Sequence, residues 1–533
     1  MPPYQGAPGV PGFPYPGQPG VPGGPGGPVG PGHFGGPVPP GGGGARRNKW
    51  IIPAAAGLAV ALMGGTVWAT VSLVGFGGPQ PEEVLPGNSV AFAKIDLAIN
   101  GAQAVDLLTF VERMPEELSE DLDNPDGDTE GLFADMFEEA FPDADKGNIE
   151  EWIGQSAGIA LWPAQGDAQV EDGSGVAMGI ALAVEDERLA DEAFRNISAE
   201  YGEVFHETMN DFVVFSSSEA ALADLHTQTE THGPLADAEV FSEDIGSVPD
   251  GSIMAGWADF GALMQIESIA DELAGDLATQ TGTVSGRATA SVRVDGDYLE
   301  ARMDAFAFEV DQADLSWLAE SPGQSVAAME DLPDNTVMAL GANGLDQALI
   351  DAYRNDEIPF FTSSGQKQEF EREFNSMGIS MPEGFSDLLG SSTAFGITQI
   401  SMDDFFGYGS GGDVSFEYRA IGGSQEALSD FVEYVSASDP YSTPPGVSSE
   451  GDAAVVALGS SSTGRLGDDP VFQQTMQEMD AAVMAGFFDL RQVLTDADVQ
   501  APDQWGALGM AMSVTDEGQR SSIELRWAPS NGS

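Results

Sequence analysis

The spacing of hydrophobic residues changes between that of strands and that of helices along the first half of the chain. Val90–Leu97, Gly158–Trp162 and Val176–Val184 are short apolar runs with the length of buried strands. Asp186–Tyr201 instead repeats its apolar residues at the spacing of one helical face. The pattern therefore predicts strands and helices in mixture.

Capping and turn residues predict further elements downstream. Ser218 is placed to cap a helix that runs through Leu225. Ile253–Phe260 predicts a strand followed by a helix, and Ala288–Phe308 predicts a hairpin that turns at residues 295–297. Because the strands and helices do not alternate strictly, the predicted fold class is α+β.

Short motifs from the first half reappear in the same order in the second half. Leu85–Val90 (LPGNSV) is similar to Leu332–Val337 (LPDNTV). Four weaker matches follow in the same order: Gly154–Ala157 with Gly390–Thr393, Asp211–Val214 with Asp452–Val455, Ala238–Phe241 with Asp469–Phe472, and Met254–Gly256 with Met484–Gly486. The sequence therefore predicts a tandem duplication, with a first α+β repeat at 82–309, a linker at 310–327 and a second α+β repeat at 328–533.

The first 76 residues differ in composition from the rest. Residues 1–44 are almost all Pro and Gly, which predicts a disordered cytoplasmic tail because little apolar surface can be buried. A basic juxtamembrane cluster occupies residues 45–50, and residues 51–76 carry no charge. A helix of that length would span about 39 Å, more than the roughly 30 Å of a bilayer core. The pattern predicts one transmembrane helix, with the N-terminus cytoplasmic and the C-terminal domain extracellular.

Small residues recur within this predicted membrane span. Gly57, Ala61 and Gly65 are four residues apart, a spacing that lets two membrane helices approach closely. Contact with the lipid bilayer through residues 51–76 and a homodimer through this face are therefore the predicted interactions. Glycine and alanine are common here, so the spacing is also expected by chance.

Acidic residues are confined to the region after residue 81. All 86 Asp and Glu residues lie there with 16 of the 19 Lys and Arg residues, which gives this region a net charge of −70. Such a surface repels nucleic acid and anionic lipid, and it attracts cations or basic partners. Adaptation to high salt and an ordinary acidic secreted domain are both compatible with this charge. The absence of cysteine excludes disulfides and Cys-ligated metals.

Several motifs of the outer region together resemble a known family. Leu85–Leu97, Glu151–Gly154 and Gly256–Phe260 are similar to an actinobacterial family of membrane-anchored proteins catalogued as domain of unknown function 3352. The resemblance covers roughly residues 82–530 and implies a Pro/Gly-rich tail and one N-terminal membrane helix. It implies no activity and no functional residue. The acid-rich segment Asp121–Glu130 departs from the family pattern.

Gly154–Gly158 (GQSAG) matches the nucleophile-elbow pattern of serine hydrolases. That chemistry requires a strand before the serine and a helix after it. Here Asn148–Ile153 predicts a helix and the residues that follow predict a strand, which is the reverse order. His206, His226 and His232 follow in the chain order of a catalytic base. A tight helix-to-strand turn is nevertheless the favoured interpretation.

Metal and phosphate motifs are incomplete. Asp121–Glu130 has the acids of a calcium loop, but no starting residue gives both the glycine at position six and the glutamate at position twelve of an EF-hand. A solvated acidic turn is favoured, with weak divalent-cation binding as the alternative. The four histidines do not form a zinc motif without cysteine. Gly459–Gly464 lacks the lysine of a phosphate-binding loop.

No catalytic, cofactor-binding or metal-binding residue is predicted. The first hypothesis is a non-catalytic binding or structural module of the cell envelope, and not an enzyme. The alternative is an extracellular hydrolase of unrecognised type, with a site between the two repeats that contains buried carboxylates with shifted pKa values. A third hypothesis is a surface domain that responds to divalent cations or to salt. The sequence does not specify the extracellular partner.

Overall fold

The computed structural model describes most of the chain after residue 78. Described are residues 79–96, 106, 109–110, 113–115, 137, 141, 144–168, 175–202, 204–216, 218–270, 284–310, 316–319, 323–356, 358, 364–399, 414–438, 443–459, 462–495, 499 and 501–530. The predicted tail (1–44), basic cluster (45–50), membrane span (51–76) and acidic segment (Asp121–Glu130) lie outside the described residues.

The described residues form one continuous sheet of sixteen strands, in which neighbouring strands are antiparallel. Its first eight strands are β1 (Ala91–Asp96), β2 (Ile153–Pro163), β3 (Val176–Val184), β4 (Phe205–Met209), β5 (Phe212–Ser216), β6 (Ser252–Asp259), β7 (Val284–Asp295) and β8 (Tyr298–Val310). The other eight are β9 (Met338–Asn343), β10 (Ser392–Gln399), β11 (Ser415–Ile421), β12 (Gly446–Glu450), β13 (Ala453–Leu458), β14 (Met484–Asp489), β15 (Ala507–Thr515) and β16 (Arg520–Ala528).

The strand order is the same in the two halves of the sheet. From the centre outward, one half runs β8-β7-β6-β1-β2-β3-β5-β4 and the other β16-β15-β14-β9-β10-β11-β13-β12. Each strand of the first half thus has an equivalent in the second, and we call the halves repeat 1 and repeat 2. They join through the equivalent strands β8 and β16, which pair from Leu299–Trp527 to Phe306–Arg520.

The predicted fold class, α+β with one N-terminal transmembrane helix before two tandem domains, is corrected on two points. The repeats are not separate tandem domains, because the pairing of β8 with β16 places both in one sheet. Across the ranges that the structure describes, no helix is long and apolar enough to cross a membrane. The predicted transmembrane helix, residues 51–76, has no counterpart in those ranges and itself lies outside them.

Helices pack on both faces of the sheet. The α-helices are α1 (Glu187–Tyr201), α2 (Glu219–His232), α3 (Glu239–Ile245), α4 (Phe260–Leu263), α5 (Ser325–Met329), α6 (Leu345–Asn355), α7 (Ser364–Ser376), α8 (Gly384–Leu389), α9 (Gln425–Ser438), α10 (Pro470–Thr475) and α11 (Leu490–Thr495). Short 3-10 helices occupy Pro81–Glu83, Ile149–Glu151, Leu235–Asp237, Ser316–Leu318, Leu466–Asp468, Pro502–Trp505 and Asp516–Gly518.

Helix α1 shows how local sequence sets these elements. The Asp186 side chain accepts hydrogen bonds from the backbone N–H groups of Arg188 and Leu189, which satisfies donors that have no partner within the helix. The helix ends at Gly202, whose φ of 68° is a left-handed conformation that glycine adopts without strain. The predicted element Asp186–Tyr201 is confirmed.

The two faces of the sheet carry different cores. We call the face that carries Phe92 and Trp257 face A, and the opposite one face B. On face A of repeat 1, the Phe241 ring meets both Phe92 and Trp257 edge-on, with centroids 5.3 and 5.5 Å away. In repeat 2 the equivalent contact joins Phe472 and Phe487 at 5.1 Å. Equivalent aromatic packing therefore holds α3 against the sheet in repeat 1 and α10 against it in repeat 2.

Candidate functional site

The two repeats meet along a polar strip on face A. Alternate residues of a strand point to one face, so every second side chain of β8 and β16 lies on this side. Across the junction, Glu300 lies opposite Arg526, and Asp304 lies opposite Ser522. The residues of this junction strip are Arg293, Tyr298, Glu300, Arg302, Asp304, Arg520, Ser522, Glu524 and Arg526.

Asp304 is one of two fully enclosed carboxylates of the junction strip; its side chain and that of Glu300 are each 2% exposed. The Arg302 guanidinium donates to both of its oxygens, at 2.9 and 3.0 Å. Arg520 Nη2 lies 3.4 Å away, and the Ser522 hydroxyl also donates to it. Burial by itself raises the pKa of Asp304, but the hydrogen bonds from Arg302 and Ser522 outweigh it and hold the pKa below its usual value.

Glu300 is held in the same way by two arginines. Arg293 donates from Nε and Nη2 to its two oxygens at 2.8 and 2.9 Å, and Arg526 Nε lies 3.4 Å from Oε2. Arg526 also stacks over the Tyr298 ring, 4.2 Å from its centroid. Burial raises the pKa of Glu300, yet the hydrogen bond and charge of Arg293 reverse the shift and lower it.

Glu524 differs because it lies beside another carboxylate. Its Oε1 is 2.5 Å from Arg526 Nε, but the two atoms are not aligned as a hydrogen bond. Burial and the negative charge of Glu300 together raise the pKa of Glu524. The neighbouring carboxyls of Glu300 and Glu524 thus have pKa values shifted in opposite directions, an arrangement that acid–base enzymes also use.

Solvent reaches Arg293, Arg302 and Arg520 more readily than the carboxylates of Glu300 and Asp304, whereas Arg526 is buried. The Arg520 side chain is 31% exposed, whereas the carboxylates of Glu300 and Asp304 are buried behind guanidinium groups. A general base must come within about 3 Å of the proton that it accepts. Since the oxygens of Glu300 and Asp304 are occupied by arginine, the strip is suited to hold the two repeats together more than to transfer protons.

A second polar cluster lies under the start of repeat 1. Lys94 in β1 is buried, and its Nζ contacts Glu82 Oε1 at 2.6 Å and Gln80 Oε1 at 2.9 Å. In repeat 2 the equivalent position is Gly341, where a Cβ would lie 2.3 Å from Ser325 O. Lys94 therefore fastens the segment before β1 to the sheet in repeat 1, and its amine is engaged by oxygen acceptors.

The serine of the GQSAG motif does not form a nucleophile elbow. Ser156 lies inside β2, opposite Asp96 of β1, and its buried hydroxyl donates to Pro79 O at 3.1 Å. The register of β2 shifts between Ile153 and Ala157. The predicted helix-to-strand turn is therefore wrong, because the glycines serve a bulged strand.

The predicted histidines are not brought together with Ser156. His206 lies in edge strand β4, three strands away from β2, and its ring nitrogens lie 3.3 Å from Asp191 Oδ1 and 3.5 Å from Ser198 Oγ. His226 contacts a different carboxylate, Glu207, at 2.6 Å. The contacts of His206 with Asp191 and Ser198 could not be predicted from the sequence, because they join α1 to the following strand.

The His206 cluster has the order of a catalytic triad but not its chemistry. The Ser198 hydroxyl donates to Val204 O at 2.5 Å, so its proton is directed away from the imidazole. Ser198 also lies within α1, where backbone N–H groups are used in the helix and cannot stabilise an oxyanion. Burial raises the pKa of Asp191, but hydrogen bonds from Arg195 and His206 lower it overall. The cluster connects β4 to α1 through the contacts of His206 with Asp191 and Ser198.

Within the described residues, no group of three or more His, Asp or Glu side chains is arranged to hold a metal ion. The acidic segment Asp121–Glu130, for which a solvated turn is favoured over weak cation binding, lies outside them, and Gly459–Gly464 is described only in part. The chain matches no family model, no curated protein and no solved structure. The resemblance to domain of unknown function 3352 therefore stays a prediction.

Proposed function

We propose that the chain is a non-catalytic binding or structural module of the cell envelope, in which two fused repeats present one continuous sheet to a partner. The observation that supports this proposal is that the carboxylates of the junction strip are hydrogen-bonded to arginine side chains. Glu300 and Asp304 each accept two hydrogen bonds from one guanidinium and lie near a second. Carboxylates held in this way stabilise an interface and are not free to accept a substrate proton.

The experiment is a search for turnover by the purified full chain with fluorogenic ester, peptide and glycoside substrates. We expect no rate above the protein-free control for the wild type and for Glu524→Gln. Asp295→Asn is the matched control, because Asp295 contacts Arg293 at 3.5 Å from the exposed rim of the strip. Turnover that is lost in Glu524→Gln and retained in Asp295→Asn would contradict the proposal.

The second candidate function is a hydrolase with its site between the repeats. It is favoured by one observation, the opposite pKa shifts of Glu300 and Glu524. Under this alternative Glu524 is the proton donor and Glu300 the base. A plot of activity against pH would then be bell-shaped. Glu524→Gln would remove its high-pH limb, which reports deprotonation of the general acid.

A further inference from the structure

Face B of repeat 2 is apolar across neighbouring strands. One row across the sheet contains Leu340 of β9, Gly486 of β14, Met510 of β15, Leu525 of β16 and Ala301 of β8. Cross-strand partners lie side by side on one face. A Cβ on Gly486 would lie 3.4 Å from both the Leu340 and Met510 side chains, so the two close over this glycine.

The rows on either side have the same character. They contain Ala342, Met484, Met512, Ile523 and Met303 in one row, and Met338, Phe488, Leu508, Trp527 and Leu299 in the other. We call these three rows the apolar patch; none of its positions is charged. Leu340 and Leu525 are each 46% exposed, Leu508 is 40% exposed and Met484 is 37% exposed. Contiguous exposed apolar surface of this kind marks an interaction site.

The equivalent surface of repeat 1 is covered by a helical segment. Ala91 and Ala258 occupy there the positions of Met338 and Phe488. They pack in one apolar cluster with three residues that are spaced three apart: Leu263, Ile266 and Ile269. Leu263 is the last residue of α4, Ile266 lies in the turn that follows, and Ile269 lies in the next helical residues, so a broken helical segment packs here. Repeat 1 thus shows which kind of element packs on this part of the fold.

Two edges of the patch are covered. Leu490 of α11, which follows β14 as α4 follows β6, packs with Phe110 and Met114 of repeat 1 against Leu299 and Trp527. Met512 packs beside Leu318 and Ala348. The neighbouring Leu340 and Leu508 remain exposed. Around Leu340 and Leu508 the patch therefore lacks, among the described residues, an apolar segment such as the one that covers its counterpart in repeat 1.

We infer that the apolar patch binds an amphipathic helix with basic flanks, supplied by a partner protein. This inference deepens the proposed binding function and rests on it. An apolar helix face in a groove is a common recognition mode, and the methionines of the patch give it a surface that adapts to different side chains.

Charge selects between the possible occupants. The region after residue 81 has a net charge of −70, so it attracts a cationic helix and repels a second copy of itself. An uncharged acyl chain would gain from the apolar rows but not from this field. The cationic amphipathic helix is the occupant that uses both properties.

The experiment uses the full chain and a fluorescent synthetic peptide of leucine and lysine, patterned as an amphipathic helix. Its control is a peptide of the same composition in scrambled order. We expect the patterned peptide to bind at least about tenfold more tightly, a ratio that corresponds to burial of one apolar side chain. The preference should persist at about 1 M NaCl, where charge attraction is screened.

Variants locate the binding surface. Leu340→Gln and Leu525→Gln should each weaken binding of the patterned peptide by about tenfold, because each leucine becomes buried on binding. Val240→Gln is the matched control, since Val240 is equally exposed at 46% but lies on α3 of repeat 1. It should leave the affinity unchanged. Melting temperatures of the three variants report whether the fold is retained.

Three results would overturn the inference. Equal binding of the patterned and scrambled peptides would show that charge attraction is the only cause of binding. A wild-type dimer that Leu340→Gln converts to a monomer would assign the patch to a second copy. Binding of neutral phosphatidylcholine vesicles, with no binding of the peptide, would assign it to acyl chains. Enzymatic turnover would instead contradict the proposed function, so the two failures are distinguishable.

Discussion

Asp304 shows how an ionised side chain is retained in the middle of a sheet. Its carboxylate is almost fully removed from water, a transfer that costs several kcal/mol unless the charge is compensated. The compensation comes from Arg302 and Ser522 by hydrogen bonds and from Arg520 by charge. Since Ser522 and Arg520 belong to repeat 2, one residue of repeat 1 depends on the other repeat for its stability.

We predict that Asp304→Asn lowers the free energy of unfolding at pH 7 by about 3–5 kcal/mol, because it leaves two guanidinium groups without their shared partner. Asp295→Asn is the control: Asp295 is 49% exposed, lies 3.5 Å from Arg293 and accepts a hydrogen bond from the Tyr298 hydroxyl that an amide oxygen can also accept, so this substitution should cost about 1 kcal/mol or less. Urea denaturation measures both values. Equal losses in the free energy of unfolding for the two substitutions would show that burial of the Asp304 ion pairs at the junction adds nothing to their effect on stability.

The stabilities of Asp304→Asn and of Glu524→Gln relative to wild type should depend on pH in directions set by the pKa shifts of the two replaced carboxyls. The pKa of Asp304 is lowered in the folded chain, so its contribution is present above the unfolded value of about 4 and is lost as pH falls through the folded value. The gap between wild type and Asp304→Asn should therefore narrow below about pH 4. The pKa of Glu524 is raised, so Glu524→Gln should gain stability relative to wild type as pH rises above about 4.

Elements with a clear hydrophobic period could be predicted from the sequence. β3 occupies the predicted Val176–Val184, and the hairpin of β7 and β8 turns at the predicted residues 295–297. β4 was not predicted, because Phe205–Met209 is an edge strand with mostly polar, partly exposed side chains. Its pairing with β5 supplies the stability that its own pattern does not indicate.

The junction strip could not be predicted because the two strands that form it, β8 and β16, are far apart in sequence. In β8 the charges of Glu300, Arg302 and Asp304 alternate at the period of a strand, which by itself indicates a solvated face. Only the register with β16, where Glu300 faces Arg526, turns that face into a buried contact. Local periodicity carries no information on such a pairing.

Gly506 carries a backbone constraint at the start of β15. Its φ of 60° and ψ of −129° are a conformation that side chains rarely adopt, and a Cβ would lie 1.8 Å from Ala528 O. We predict that Gly506→Ala costs about 3 kcal/mol or more, because β15 and β16 must separate. Gly202→Ala is the control, since its φ is 68° but no atom lies within 4 Å, and we expect about 1–2 kcal/mol. Urea denaturation that gives equal costs would contradict the steric explanation.

Charged side chains are paired at the buried junction strip, whereas the surface of the molecule carries an excess of acidic side chains. Four of the 16 basic residues after residue 81 belong to the junction strip, namely Arg293, Arg302, Arg520 and Arg526. There they are matched by buried carboxylates, so the remaining acidic side chains have few partners to balance them. The sheet is thus joined by buried ion pairs while the surface as a whole repels itself.

We predict that the melting temperature of the full chain rises as NaCl increases from about 0.1 M to about 1 M, because the Debye length falls from about 10 Å to about 3 Å and screens the surface repulsion. The cost of Asp304→Asn should change little over this range, since buried pairs are screened much less than exposed ones. A melting temperature that falls with salt would mean that exposed ion pairs outweigh the repulsion. CaCl₂ at matched ionic strength tests the hypothesis of a surface domain that responds to divalent cations. A melting temperature higher than in NaCl requires a bound divalent cation, because screening is equal in the two salts.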